Sequence, residues 1–152
     1  MATIASAALH FHPSAEILLG SDTRPSPTPR SPFDWVSSIR QGISTASVDA
    51  IIGYIHLSRA ELALVLGIPE RTLARRRREG VLNSEESAKL VRLARVVERA
   101  VEVFDDLDAA IDWLKSANAA FSGATPLSLL DTDVGAESVL DALGRIEHGV
   151  FA

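Results

Sequence analysis

The sequence contains no cysteine, which removes disulfides and thiolate metal sites from consideration. Aromatic residues make up only 5% of it, while Ala, Leu and Val dominate the apolar fraction. That balance favours packed helices over a β-sandwich. There is no apolar run of the roughly 18 residues a membrane helix needs. The first residues lack the basic start and continuous apolar stretch of a secretory signal. A soluble, cytoplasmic chain with no membrane association is therefore expected. No glycine-rich loop suited to cradling phosphate occurs. The four histidines (His10, His12, His56 and His148) are scattered and lack a nucleophile context. His10 and His12 have no carboxylate or further ligand at useful spacing. Asp131, Asp133 and Glu137 lack the alternating oxygens and closing glutamate of a calcium loop, and suit turns and N-caps instead. No enzyme, cofactor or metal is expected.

What the chain does carry is concentrated in Ser58–Leu82, SRAELALVLGIPERTLARRRREGVL. Ser58 and Glu61 stand at capping-box spacing, which predicts a helix start. Leu62, Ala63, Val65 and Leu66 give that helix an apolar side. Gly67 suits a left-handed C-cap, and Pro69 can open the next helix but not prolong the first. The second helix, about Glu70–Glu79, buries Leu73 and stops at Gly80. An Ala, a Gly four residues later and an aliphatic residue six beyond that is helix-turn-helix spacing. At about 100° per residue, Arg71, Arg75 and Arg78 point away from Leu73, with Thr72 and Glu79 flanking them. Arg76 and Arg77 fall nearer the core side and can lie along it. Guanidinium forks pair with guanine edges or phosphates, so this face fits DNA. A solvated basic face on an all-α domain would show the same pattern.

Net charge, −5 overall, hides a strong asymmetry. Ser58–Leu82 holds six arginines against three glutamates, whereas Val96–Ala152 holds eleven acidic residues against three basic ones. Two partners of opposite character are implied, although solvated acidic helix faces give the same bias. Residues 1–32 form the least structured stretch, with Arg24–Pro32 reading as an extended, proline-rich linker. Phe33–Ile43 forms a short helix with Phe33, Val36 and Ile39 at helical spacing and Trp35 packed on the body. Ser47–Leu57 forms a second helix capped by Ser47, with His56 half-buried. Asn83 or Ser84 caps a long helix whose first turn holds Glu85 and Glu86. Leu90, Leu93, Ala94, Val97, Val101 and Phe104 sustain its apolar stripe until Asp105 and Asp106 break it. Leu107–Ala117 is helical, Phe121–Thr125 turns, Pro126 opens a short helix through Leu130, and Asp131–Gly135 turns again. Glu137–His148 closes the chain as a helix.

Within Ser122–Ala152 the sequence resembles the C-terminal toxin-binding domain of the Xre/MbcA/ParS antitoxins. The resemblance rests on Gly123, Thr125, Pro126, Leu129, Leu130, Asp131, Thr132, Gly135, Leu143, Ile146 and Gly149. The helix-turn-helix, with Thr72, Leu73 and the arginine run, resembles the same family, so that about Ile51–Ala152 is covered. His148 departs from the family, in which a Tyr is common at this place. The expected fold is all-α: a flexible N-terminal tail at 1–32, which lies outside the resemblance, then an Xre-like helix-turn-helix domain at 33–82 and a long helix plus toxin-binding domain at 83–152. The resemblance further implies an antitoxin that dimerises and blocks a cognate RES-domain toxin, an enzyme that consumes NAD, with its C-terminal domain. The chain end then lies near the NAD pocket. Candidate toxin-binding residues are Gly123, Thr125, Pro126, Asp131, Thr132, Gly135, His148, Gly149, Val150, Phe151 and Ala152. Operator DNA is the second implied partner, with Arg71 and Thr72 for base edges and Arg75 and Arg78 for phosphates. The other reading is a stand-alone helix-turn-helix repressor whose acidic C-terminal domain dimerises or senses a ligand.

Overall fold

The computed structural model describes residues 13–20 and 32–149. Among these every regular element is helical, and the one β feature is an isolated bridge between Ser44 and Val81. The organising element is α6 (Ser84–Phe104), which buries residues along its full length, from Glu86 and Ser87 to Val101. Its start is fixed by a reciprocal cap: Asn83 Oδ1 accepts from Glu86 N at 2.8 Å, and Glu86 Oε1 accepts from Asn83 N at 2.9 Å. Such a cap satisfies backbone N–H groups that a helix start leaves unpaired. At the far end Asp105 adopts a left-handed backbone, φ 58°, and Asp106 caps α7 (Leu107–Lys115). The two aspartates stop one helix and start another.

Ahead of α6 come α1 (Ala15–Leu18), α2 (Pro32–Gln41), α3 (Ala46–Ile55), α4 (Arg59–Leu66) and α5 (Glu70–Glu79). The pair α4–α5 forms as the sequence predicts. Ser58 and Glu61 exchange both capping hydrogen bonds at 3.0 Å, and Gly67 takes φ 66°. Pro69 stands as N-cap of α5, and Leu73 is the only side chain α5 buries. After α7, short 3₁₀ turns at Ala119–Phe121 and Pro126–Leu129 lead into α8 (Asp133–Glu147). The rings of Phe104, Trp113 and Phe121 pack in series, the first pair tilted and the second edge-on, with centroid separations of 5.7 and 6.4 Å. α6 packs against α1, α2, α4, α7 and α8, and one continuous core runs from Ala15 to Leu143.

Several expectations are corrected. Part of the supposed tail folds: Ala15, Leu18 and Leu19 are buried, α1 packs on α3 and α6, and Ala15 N donates to the Glu98 carboxylate. A helix of one turn shows no periodicity, so an apolar cluster this short is not readable as structure. In α2 the buried residue is Trp35, while Phe33 and Val36 face outward. The N-cap of α3 is Thr45 rather than Ser47, and Ser47 is buried within the helix. His56 is exposed, not half-buried; it caps α3 in a left-handed conformation, and its carbonyl accepts from Lys115 Nζ at 2.7 Å. α8 opens at Asp133, four residues before the expected start, because Thr132 caps it by accepting from Gly135 N at 3.0 Å. The proline-rich run up to Ser31, the pair His10 and His12, and the chain end from Val150 lie outside the described residues.

Candidate nucleic-acid interface and C-terminal binding face

α5 stands out from the body because its sequence gives it one apolar anchor and five charged residues in its last five positions. Arg71, Arg75 and Arg78 are all exposed, and Thr72 is half-buried at their flank. Arg75 is 3.7 Å from Glu79; Arg71 and Arg78 make no ion pair among the described residues. The two arginines nearer the core behave differently. Arg76 Nε donates to Glu86 Oε1 at 2.8 Å, and Arg76 Nη1 donates to Glu79 at 3.1 Å. Hydrogen bonding to Glu86, then to Glu79, raises the Arg76 guanidinium above its ordinary pKa. Arg77 donates to Asp49 of α3. Arg76 therefore fastens α5 to the start of α6, and Arg71, Arg75 and Arg78 form an outward cationic face with the shape and chemistry of a recognition helix.

Sequence reasoning did not single out Glu86 beyond its place in a first turn. It is buried, with its carboxylate shared between the α6 cap and Arg76. The signal was present: Asn83 and Glu86 stand at capping-box spacing, but nothing local reveals that Arg76 folds back to the same carboxylate.

The C-terminal face begins at the loop after α7. Asn118 holds it, its carbonyl accepting from Gly123 N and its N–H donating to the Ala124 carbonyl. Gly123 sits at φ 88° with open space around it, so its backbone conformation is what requires glycine. Thr125 caps the next turn, accepting from Ser128 N at 3.2 Å, and Pro126 is buried at its first position. Asp131 and Thr132 are exposed. Gly135 is fixed by contact: a Cβ there would lie 1.9 Å from the Leu129 carbonyl oxygen. The structure thus places Gly135 and Pro126 inside the joint that seats α8, and Gly123, Asp131 and Thr132 on its surface. His148 and Gly149 are exposed at the end of α8, Gly149 with φ 68°.

Two ion pairs fasten α8 to α6. Arg92 meets Asp133 and also donates to the Leu130 carbonyl at 3.2 Å, while Arg99 meets Glu147. The Arg99 hydrogen bond holds the Glu147 carboxyl below its usual range, and the same bond raises Arg99. α8 turns Ala136, Val139 and Leu143 inward. Outward it presents Glu137, Asp141 and Arg145, together with Val134, which is 73% exposed. The sequence reading did not single out Val134, because it placed Asp131–Gly135 in a turn ahead of the helix. Among the described residues no group of three or more acidic or histidine side chains could hold a metal ion, and no helix is long and apolar enough to cross a membrane.

Comparison with known proteins matches both faces. The model of the antitoxin Xre-like helix-turn-helix domain covers residues 34–95, and that of the antitoxin Xre/MbcA/ParS C-terminal toxin-binding domain covers residues 99–149. The two matches meet inside α6. A protein named antitoxin Xre from Yersinia enterocolitica is 40% identical over 119 residues, 77% of this chain and 80% of its own length. One of the same name from Photorhabdus laumondii is 33% identical over 116 residues, 75% of this chain and 78% of its own length. A third, from Pseudomonas putida, is 37% identical over 83 residues, 54% of this chain and 52% of its own. With a basic helix-turn-helix and an acidic C-terminal domain matched in chain order, this chain belongs to the Xre antitoxin family.

Proposed function

We propose that this chain is the antitoxin of a cytoplasmic toxin–antitoxin pair, acting without catalysis of its own. Its cognate toxin is a RES-domain enzyme that consumes NAD, and the C-terminal domain inhibits it by covering the active site. The observation that carries this reading is the pairing, on one helix, of a cationic recognition face with an oppositely charged domain of toxin-binding type. Acidic groups around α8 can engage arginines that otherwise hold a phosphate-bearing substrate. The contact uses the turn residues Gly123, Thr125, Asp131 and Thr132, the outer side of α8, and His148 through Ala152. Pro126 and Gly135 serve by holding that surface in shape. The helix-turn-helix represses the antitoxin's own operon as a homodimer reading paired half-sites, with Arg71 and Thr72 on base edges and Arg75 and Arg78 on phosphates.

Co-expression with the protein encoded next to this one tests the reading through growth and cellular NAD. The neighbour alone should deplete NAD, and this chain should restore it through a stable complex. A harmless neighbour that does not co-purify would sink the proposal. Removing Gly149–Ala152 should leave folding intact and weaken neutralisation; full protection by the shortened chain would remove the chain end from the contact.

A further inference from the structure

Two adjoining clefts, of about 420 and 290 Å³, run beside α5 and share Arg59, Ala74 and Arg77. One is completed by Thr45, Asp49 and Arg78, the other by Glu70, Arg71 and Leu73. Four guanidiniums from two helices therefore line the adjoining clefts, and two of them, Arg59 and Arg77, border both. Arg59, Arg71 and Arg78 make no ion pair among the described residues. Arg77 alone is held, by Asp49 reaching across from α3. The Asp49 side chain is 55% exposed and that of Arg77 29%, so the pair sits at the mouth of the groove. An exposed single pair of this kind is weak and screened by salt. Asp49 engages Arg77 through one carboxylate oxygen, whereas a phosphate in the groove can take both prongs of the fork and bring Arg59 and Arg78 into the same charge-assisted set.

We propose that Arg77 is a phosphate-binding residue held in reserve by Asp49: on duplex DNA a backbone phosphate oxygen replaces the Asp49 carboxylate, with Arg59 completing the site. This rests on the DNA-binding reading above and extends it to side chains off the outer face of the recognition helix. Asp49 is then a brake on DNA affinity without sequence preference, because it competes with phosphate and touches no base edge.

The test measures binding of the full chain to a labelled duplex taken from immediately upstream of its reading frame, and to a scrambled duplex, across a salt series. Asp49→Asn should tighten both complexes about twofold to fivefold, the range an exposed ion pair allows. Arg77→Gln should weaken both and lower the salt slope by about 0.9, one phosphate contact. In Arg77→Gln the Asp49→Asn gain should vanish, since a brake needs the group it acts on. An equal gain in both backgrounds would reduce Asp49 to a general repulsive charge and overturn the brake. Asp49→Ala repeats the arm with a different side chain, and circular dichroism verifies the fold of each variant. If the wild type binds neither duplex, or an RNA duplex competes as well as DNA, the DNA reading fails and the proposal with it. If the wild type binds DNA and Arg71→Ala/Arg75→Ala does not, any failure belongs to Asp49 and Arg77 alone.

Discussion

The two halves of the molecule fasten a helix to the same α6 by the same chemistry with the charges exchanged. On the helix-turn-helix side the arginine belongs to α5 and the acid to α6, as Arg76 and Glu86. On the C-terminal side the arginines belong to α6 and the acids to α8, as Arg92–Asp133 and Arg99–Glu147. Each clamp consumes charge of the sign its helix displays outward and leaves the rest for a partner. The halves also differ in how they are held. α5 buries one side chain, Leu73, and its clamp is a buried carboxylate; α8 buries a row of three apolar residues and its clamps are exposed. A recognition helix that must present most of its circumference to a partner has little apolar surface to bury, and relies on a desolvated polar anchor. A helix with a broad apolar side does not.

The most forceful way to break this contrast is Leu143→Ala, which empties a fully buried site beneath α8. About 3 kcal/mol of stability should be lost, measured by urea unfolding. Trp35 in α2 and Trp113 in α7 report separately on the two halves. Because both halves share α6, single-tryptophan variants should show coincident transitions; separate midpoints would show that the halves unfold independently. Glu86→Ala should cost about 2 kcal/mol, through loss of the cap and of a buried partner, and should also weaken DNA binding by freeing α5. Unchanged DNA affinity with lowered stability would confine Glu86 to a capping role. Arg71→Ala should cost about 1–3 kcal/mol of discrimination between operator and scrambled duplex, if it reads a base edge. An equal loss on both duplexes would move it to the phosphates.

The smallest effect concerns acid. The folded-state pKa of Glu147 is depressed by Arg99, so its contribution is present above the ordinary carboxylate range, about 4.3. It is lost as pH falls through the lower folded value. Glu147→Gln should therefore narrow the stability difference between neutral pH and pH below that range, by a small amount because the pair is exposed. An identical pH profile for variant and wild type would show that the clamp contributes nothing.

Where an element is specified by neighbours in sequence, it was legible. Ser58 with Glu61, Gly67, Gly80 and the stripe from Leu90 to Val101 gave the helix-turn-helix and the long helix, since caps and apolar periodicity act within a few residues. The outward direction of Arg71, Arg75 and Arg78 followed from helical geometry once Leu73 was the inward residue. The early start of α8 was not read from the sequence, although its cause is local: Thr132 caps the helix by accepting from Gly135 N, and turn chemistry reads the same stretch as loop. Nor was the burial of Ala15, Leu18 and Leu19, which a single turn of helix gains only from α3 and α6.

By itself, then, the sequence determined the helices, their caps and the opposite charges of the two ends, because each is set by residues within a turn or two of one another. Tertiary structure decided what the inward arginines meet. Helical geometry turns Arg76 and Arg77 toward the body, but Glu86 on α6 and Asp49 on α3 lie across from them only because of how the helices pack. Pairing between residues 10 and 28 positions apart depends on how helices pack, which no local pattern encodes.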